Sequence, residues 1–131
     1  MTLPAPALRA RYLGDSVSTA SPARLLVMLY ERLALDLAQA EAALTTGDRV
    51  AASARLLHAQ EIVIELRTTL NLEAWEGALN LAKIYAFLLS ELIAANVGAD
   101  AAKVAGCRSL VEPLLSAWRE AALTPTAPAA A

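Results

Sequence analysis

Three paired signals for the start of a helix divide the middle of the chain into blocks of nearly equal length. They are Ser21-Pro22, Gly47-Asp48 and Gly98-Ala99-Asp100. The first combines an N-cap residue with proline at the first helical position, where the missing N–H costs nothing. The other two place a glycine where one helix ends and an aspartate where the next begins. A weaker break falls at Asn71, which has no glycine or proline beside it.

The blocks between these breaks cover about 22–45, 49–70, 74–97 and 101–122. Ala, Leu, Glu and Arg dominate them, and these are strong helix formers. Each block gives a helix of roughly 30–35 Å at 1.5 Å per residue. Near-equal helices with short joints favour an all-α fold, an antiparallel up-down-up-down four-helix bundle. We predict a flexible N-terminal segment over 1–20 with room for a short helix, the bundle over 21–122 and a disordered tail over 123–131.

Composition and charge exclude several classes of function. A chain of 131 residues is long enough for one domain with its own core. The net charge of −2 and the pI of about 5.4 give no reason to expect a nucleic-acid partner. The start of the chain has no secretory signal pattern, and its longest apolar stretch, 84–97, is shorter than the ~20 residues that span a bilayer. We therefore expect a cytosolic protein.

The second block carries two apolar stripes on nearly opposite sides. One stripe consists of Leu56, Ala59, Val63, Leu66 and Leu70, and the other of Val50, Ala54, Leu57 and Ile64. A helix in a four-helix bundle buries one arc, so two opposed stripes cannot both face the same core. In the first block Met28 and Leu35 also point away from the main stripe. The third block is apolar over more than half of its circumference.

This surplus of apolar surface has more than one explanation. A groove for a helix of another protein would need it. A bulky N-terminal segment lying over the excess, or a homodimer, would bury it equally well.

The chain lacks the residues of a catalytic or metal site. His58 is its single histidine, and we expect it to be a solvated surface residue. Cys107 lies on an apolar face and fits a small core residue. Asp36, at the edge of the first stripe, has Arg32 one turn earlier as a structural partner. We predict no enzyme activity, no cofactor and no metal.

The chain also resembles a known family in four segments that follow one another in order. They are Tyr12 through Val17 and Thr19-Ala20-Ser21-Pro22 to Met28-Leu29-Tyr30, then Ala59 to Leu66 with Leu70-Asn71, then Tyr85 to Leu92 with Ala95-Asn96, and finally Ala117-Trp118-Arg119. Together they resemble FliS-type flagellar secretion chaperones over about 12–120.

The resemblance implies a cytoplasmic helical bundle that binds the disordered C-terminal segment of flagellin. Such a chaperone prevents premature polymerisation and delivers flagellin to the export-gate membrane protein of the flagellar type III apparatus. For this chain we expect Tyr12 to act in the N-terminal segment, and Met28, Leu35, Leu57 and Ile64 to contact flagellin. The alternatives are a structural homodimeric bundle, or an adaptor for a different helical partner.

Overall fold

The computed structural model describes residues 21–123, and this part of the chain forms four helices and no strand. The helices are α1 (Pro22–Thr45), α2 (Arg49–Thr69), α3 (Gly77–Gly98) and α4 (Ala101–Leu123). The all-α four-helix prediction is confirmed. The predictions made for 1–20, including that for Tyr12, and for the tail after Leu123 lie outside the described residues.

Helix starts follow the capping signals of the sequence. The side chains of Ser21, Asp48 and Asp100 each accept a hydrogen bond from a backbone N–H in the first turn of α1, α2 and α4, at 3.0–3.2 Å. Gly47, with φ +80°, makes the left-handed turn between α1 and α2. The corresponding turn after α3 differs from the prediction. Gly98 is the last helical residue, and Ala99 takes the left-handed conformation with φ 49°.

The start of α3 lies later than predicted, at Gly77 rather than near 74. The preceding residue, Glu76, makes no capping hydrogen bond through its side chain. Instead, the ring of Trp75 lies over the α-carbon of Gly77, so closely that a Cβ there would be 1.9 Å from a ring atom. Trp75 therefore belongs to the connection and not to the helix, and packing decides where α3 begins.

The four helices form a closed ring in which each packs against two others. The packed pairs are α1–α2, α2–α3, α3–α4 and α1–α4, so α1 and α3 are diagonal to each other. All four contribute to one apolar core, whose largest fully buried side chains include Leu33, Leu37, Leu56, Ile62, Leu66, Leu88, Leu92 and Val104. Cys107 is a core residue as predicted, and burial raises the pKa of its thiol to about 11.

One polar contact crosses the centre of the bundle. The hydroxyls of Tyr30 on α1 and Tyr85 on α3 are 2.7 Å apart and form a hydrogen bond, and both side chains are buried. Burial raises the pKa of both phenols, so both are neutral in the folded protein. The ring of Trp118 on α4 meets Tyr30 edge-on, with centroids 6.2 Å apart.

The seam between α1 and α2 contains a buried carboxylate. Asp36 is fully buried and has Arg32, one turn earlier on α1, at 3.4 Å, as the sequence suggested. Arg55 of α2 is at 3.4 Å, and Nδ1 of His58 is also hydrogen-bonded to Asp36. The prediction that His58 is a solvated surface residue was wrong. Helical periodicity placed it off the apolar stripe but could not show that this side of α2 faces Asp36.

Helix α3 is the most apolar helix of the described part. Its 22 residues are long and apolar enough to cross a membrane by length and composition, because the helix extends beyond the apolar stretch 84–97 at its N-terminal end. The core helix of a soluble protein meets the same criterion, and one side of α3 is indeed buried in the bundle. The apolar residues on its other side need a separate explanation.

Candidate binding surface

The second apolar stripe of α2 faces solvent. Leu57 and Ile64 are 51% and 45% exposed, whereas Val63, next to Ile64 in sequence, is 1% exposed. Val50 and Ala54 are exposed as well. The helical period accounts for this arrangement, because the two stripes of α2 lie on opposite sides of the helix. Leu57 and Ile64 thus remain available to a partner.

The outward side of α3 is also apolar. Leu79 and Phe87 are 55% and 52% exposed, and Ile93 and Val97 are exposed as well. These residues lie on the side of α3 away from Leu81, Leu88 and Leu92, which are buried. The wide apolar arc in the sequence indicated this surplus, but it did not show which residues the neighbouring helices would leave uncovered.

A groove runs along one end of the seam between α2 and α3. It is lined by Leu44, Arg49, Val50, Ser53, Ala54, Leu57, Asn96 and Ala99. The Nη2 of Arg49 donates a hydrogen bond to the backbone carbonyl of Val97 at 3.4 Å, which fixes the start of α2 beside the end of α3. This contact also shows that the Arg49 side of α2 faces α3.

A second groove lies between α3 and α4 at the opposite end of α3. Its lining is almost entirely apolar and consists of Trp75, Gly77, Asn80, Leu81, Ile84, Leu114, Ala117, Trp118 and Ala121. The rings of Trp75 and Trp118 meet edge-to-face with centroids 6.5 Å apart. Neither tryptophan is recognisable as part of a binding surface from the sequence alone, because their contact depends on how α3 packs against α4.

The contacts of α1 with α4 and α2 include charged side chains, unlike the apolar grooves beside α3. Arg108 and Arg119 of α4 form ion pairs with Glu41 and Glu31 of α1, at 2.7 and 2.9 Å. On its other side α1 carries the Asp36 cluster. Exposed apolar residues of α2, α3 and α4 take no part in these contacts with α1. We call the surface that they form the outer apolar face; it consists of Leu57, Ile64, Leu79, Phe87, Ile93 and Leu110.

The sequence-predicted contact residues do not all meet on this face. Leu57 and Ile64 belong to it. Leu35 is exposed and Met28 is half-buried, but both are on α1, whose polar contacts with α2 run through the Asp36 cluster and not through Leu57 or Ile64. The structure therefore does not bring Met28 and Leu35 together with Leu57 and Ile64.

The chemistry that this surface offers is non-covalent binding. Between residues 21 and 123, no group of three or more His, Cys, Asp or Glu side chains is arranged to hold a metal ion. Large exposed apolar surfaces mark interaction sites in soluble proteins. Two grooves and the ridge of α3 between them suit helical segments that carry an apolar side.

Comparison with known proteins agrees with this geometry. The family model for flagellar protein FliS matches residues 5–125. The chain is also 30% identical to the flagellar secretion chaperone FliS of Bacillus subtilis (strain 168) over 110 residues, which is 84% of this chain and 82% of that protein. The family-model match spans all four helices. The chain belongs to the FliS family of flagellar proteins.

Proposed function

We propose that this protein is a cytosolic export chaperone for flagellin. It binds the C-terminal segment of flagellin, prevents its premature polymerisation and delivers it to the flagellar type III secretion apparatus. The relative from Bacillus subtilis bears the name of a flagellar secretion chaperone. The protein acts by binding, and we expect no enzymatic activity.

The outer apolar face is the observation that carries this proposal. A monomeric bundle has no need of Leu57 and Ile64 on α2, or of Leu79 and Phe87 on α3, at about half exposure. A disordered partner that folds on binding loses conformational entropy, and only a large apolar contact offsets that cost. The outer apolar face provides such a contact.

Two further contacts belong to the same proposal. Leu35 and the half-buried Met28 on α1 would extend the contact with flagellin around the bundle. Tyr12 would act in the N-terminal segment, either by covering the groove that binds flagellin or by contacting the export-gate membrane protein. A homodimer through the outer apolar face is the alternative arrangement of the client-free protein.

A pair of adjacent residues on α2 tests the function. Replacing the exposed Ile64 with Glu should change the free energy of unfolding by no more than about 0.5 kcal/mol, as is usual for exposed positions. In a flagellin complex the same carboxylate would replace an apolar contact and lose its water, and an ion pair with Arg67, three residues later, offsets only part of that desolvation cost. Affinity for a flagellin C-terminal peptide should fall at least about tenfold, which corresponds to about 1.4 kcal/mol.

Val63→Glu is the matched control, because it puts the same charge into the core one residue away. It should unfold the bundle, as seen in thermal melts, while Ile64→Glu melts like the unsubstituted protein. If Ile64→Glu folds and binds the peptide normally, α2 does not contact flagellin. If the unsubstituted protein binds no flagellin peptide at all, the proposed function fails.

A further inference from the structure

Two positively charged side chains, those of Lys83 and Arg67, lie at one end of the outer apolar face. Lys83 is exposed on α3, one turn after Leu79 and one turn before Phe87. Arg67 is exposed on the last turns of α2, three residues after Ile64. Each cation is therefore within a turn of an exposed apolar residue of the face.

The register of the α2–α3 seam brings the two cations to within about one helical turn of each other along the bundle. Arg49 at the start of α2 bonds to Val97 at the end of α3. Because the helices are antiparallel and rise equally per residue, Arg67 is level with Leu79, and Lys83 follows one turn later. Arg67 lies five turns after Arg49 and so on the same side of α2, the side that faces α3.

Neither cation has an acidic partner in the described part of the chain. Among residues 21–123, no carboxylate is within 4.0 Å of the Lys83 ammonium or the Arg67 guanidinium, whereas Arg108, Arg119 and Lys103 all form ion pairs. Glu91, the acid on α3 after Lys83, is bound to Lys103. Glu73 and Glu76 lie in the connection beyond the end of the face.

A segment that covers the outer apolar face partly desolvates these two charges. Contact with Leu79, Phe87 and Ile64 removes water from around Lys83 and Arg67, and an unpaired desolvated charge is costly. An acidic side chain in that segment would remove the cost and add a charge-assisted hydrogen bond. An apolar segment without an acid would leave both cations unpaired.

We propose that Arg67 and Lys83 form a receptor for an acidic side chain of the bound helical segment and thereby fix its register on the face. Apolar contacts alone tolerate sliding by a turn, whereas one charge contact at a fixed position does not. This inference rests on the proposed function, since it names the chemistry that the flagellin segment presents at this end of the face.

Charge reversal tests the receptor directly. Lys83→Glu and Arg67→Glu should each weaken binding of a flagellin C-terminal peptide by about tenfold or more, because a close charge pair becomes a repulsion. Lys83→Met, which keeps the length and apolar stem of the side chain, should weaken binding less than Lys83→Glu. Lys83→Arg, which keeps the positive charge at the same site, should retain the affinity.

The decisive experiment reverses a charge in the peptide and asks whether this restores binding to the charge-reversed protein. Each Asp or Glu of the peptide is changed to Lys in turn, and each peptide is titrated against the double variant Lys83→Glu/Arg67→Glu, in which neither cation repels the new lysine. One of them should regain affinity to within about threefold of the original complex, while binding the unsubstituted protein poorly. Thermal melts of all variants verify that they are folded.

The outcomes separate this inference from the proposed function. If the original peptide binds the unsubstituted protein but Lys83→Glu and Arg67→Glu bind it equally well, the receptor is wrong and the chaperone function stands. The receptor is also wrong if affinity falls but no charge-swapped peptide restores it. If the original peptide does not bind the unsubstituted protein, the function itself fails.

Discussion

The hydroxyl pair of Tyr30 and Tyr85 joins two helices that lie diagonally across the bundle. Each hydroxyl is buried, and each has the other as its hydrogen-bond partner at 2.7 Å. A buried polar group without a partner costs more than a made bond contributes. The pair therefore favours the observed position of α1 relative to α3, because separating the two hydroxyls would break this buried hydrogen bond.

Single and double removal of these hydroxyls should not be additive. Tyr30→Phe leaves the Tyr85 hydroxyl buried without its partner and should lower the free energy of unfolding by about 1–3 kcal/mol. Adding Tyr85→Phe removes that orphan, so the double variant should be nearly as stable as either single variant. Chemical denaturation of the four proteins measures the coupling. Strictly additive losses would show that the hydroxyls do not depend on each other.

Only one of the contacts of Asp36 was predictable from the sequence. The contact of Asp36 with Arg32 was predictable, because the two are one turn apart on the same helix. Its contacts with Arg55 and His58 join two helices, and nothing in the local sequence states which side of α2 faces α1. Cys107 was predictable as a core residue because its position repeats with the apolar residues of α4.

At the scale of single helices, local chemistry fixed most of the boundaries. Ser21, Asp48 and Asp100 cap their helices through short-range hydrogen bonds, and such bonds depend on a few neighbouring residues. The start of α3 had no comparable signal, because it is determined by the packing of Trp75 over Gly77. Contacts of that kind become visible only once the helices have been brought together.

A substitution at the end of α3 should raise the free energy of unfolding. Ala99 holds a left-handed conformation that costs an L-residue roughly 1–2 kcal/mol, while the adjacent Gly98 lies within the helix. Ala99→Gly should therefore raise the free energy of unfolding by up to about 1 kcal/mol, after the greater freedom of glycine in the unfolded chain is deducted. Denaturant unfolding at equilibrium gives the change.

Ala86→Gly is the control for this substitution, because Ala86 is an exposed residue in the middle of α3 with helical backbone. There the same replacement should destabilise by about 1 kcal/mol. If both substitutions destabilise equally, Ala99 is not under conformational strain.

At the scale of the whole molecule, the bundle has two unlike sides. Ion pairs and the Asp36 cluster hold α1 to its neighbours, whereas α3 has apolar grooves along both of its seams. The exposure of Leu57 and Ile64 follows from the period of one helix and was predictable. The grooves were not, since each needs residues from two helices and therefore the order in which the helices pack.

The outer apolar face should also govern the oligomeric state. Without flagellin, the hydrophobic effect favours burying Phe87, Leu79 and Ile64 against a second copy of the chain, so the free protein should self-associate as its concentration rises. A saturating flagellin C-terminal peptide covers the same residues and should return the protein to a one-to-one complex, as measured by sedimentation velocity. Phe87→Glu should weaken self-association in the absence of peptide and, at concentrations where the protein is monomeric, leave the thermal melt nearly unchanged, because its side chain is 52% exposed. If the same dimer persists with and without saturating peptide, the self-association surface and the flagellin surface are different parts of the molecule.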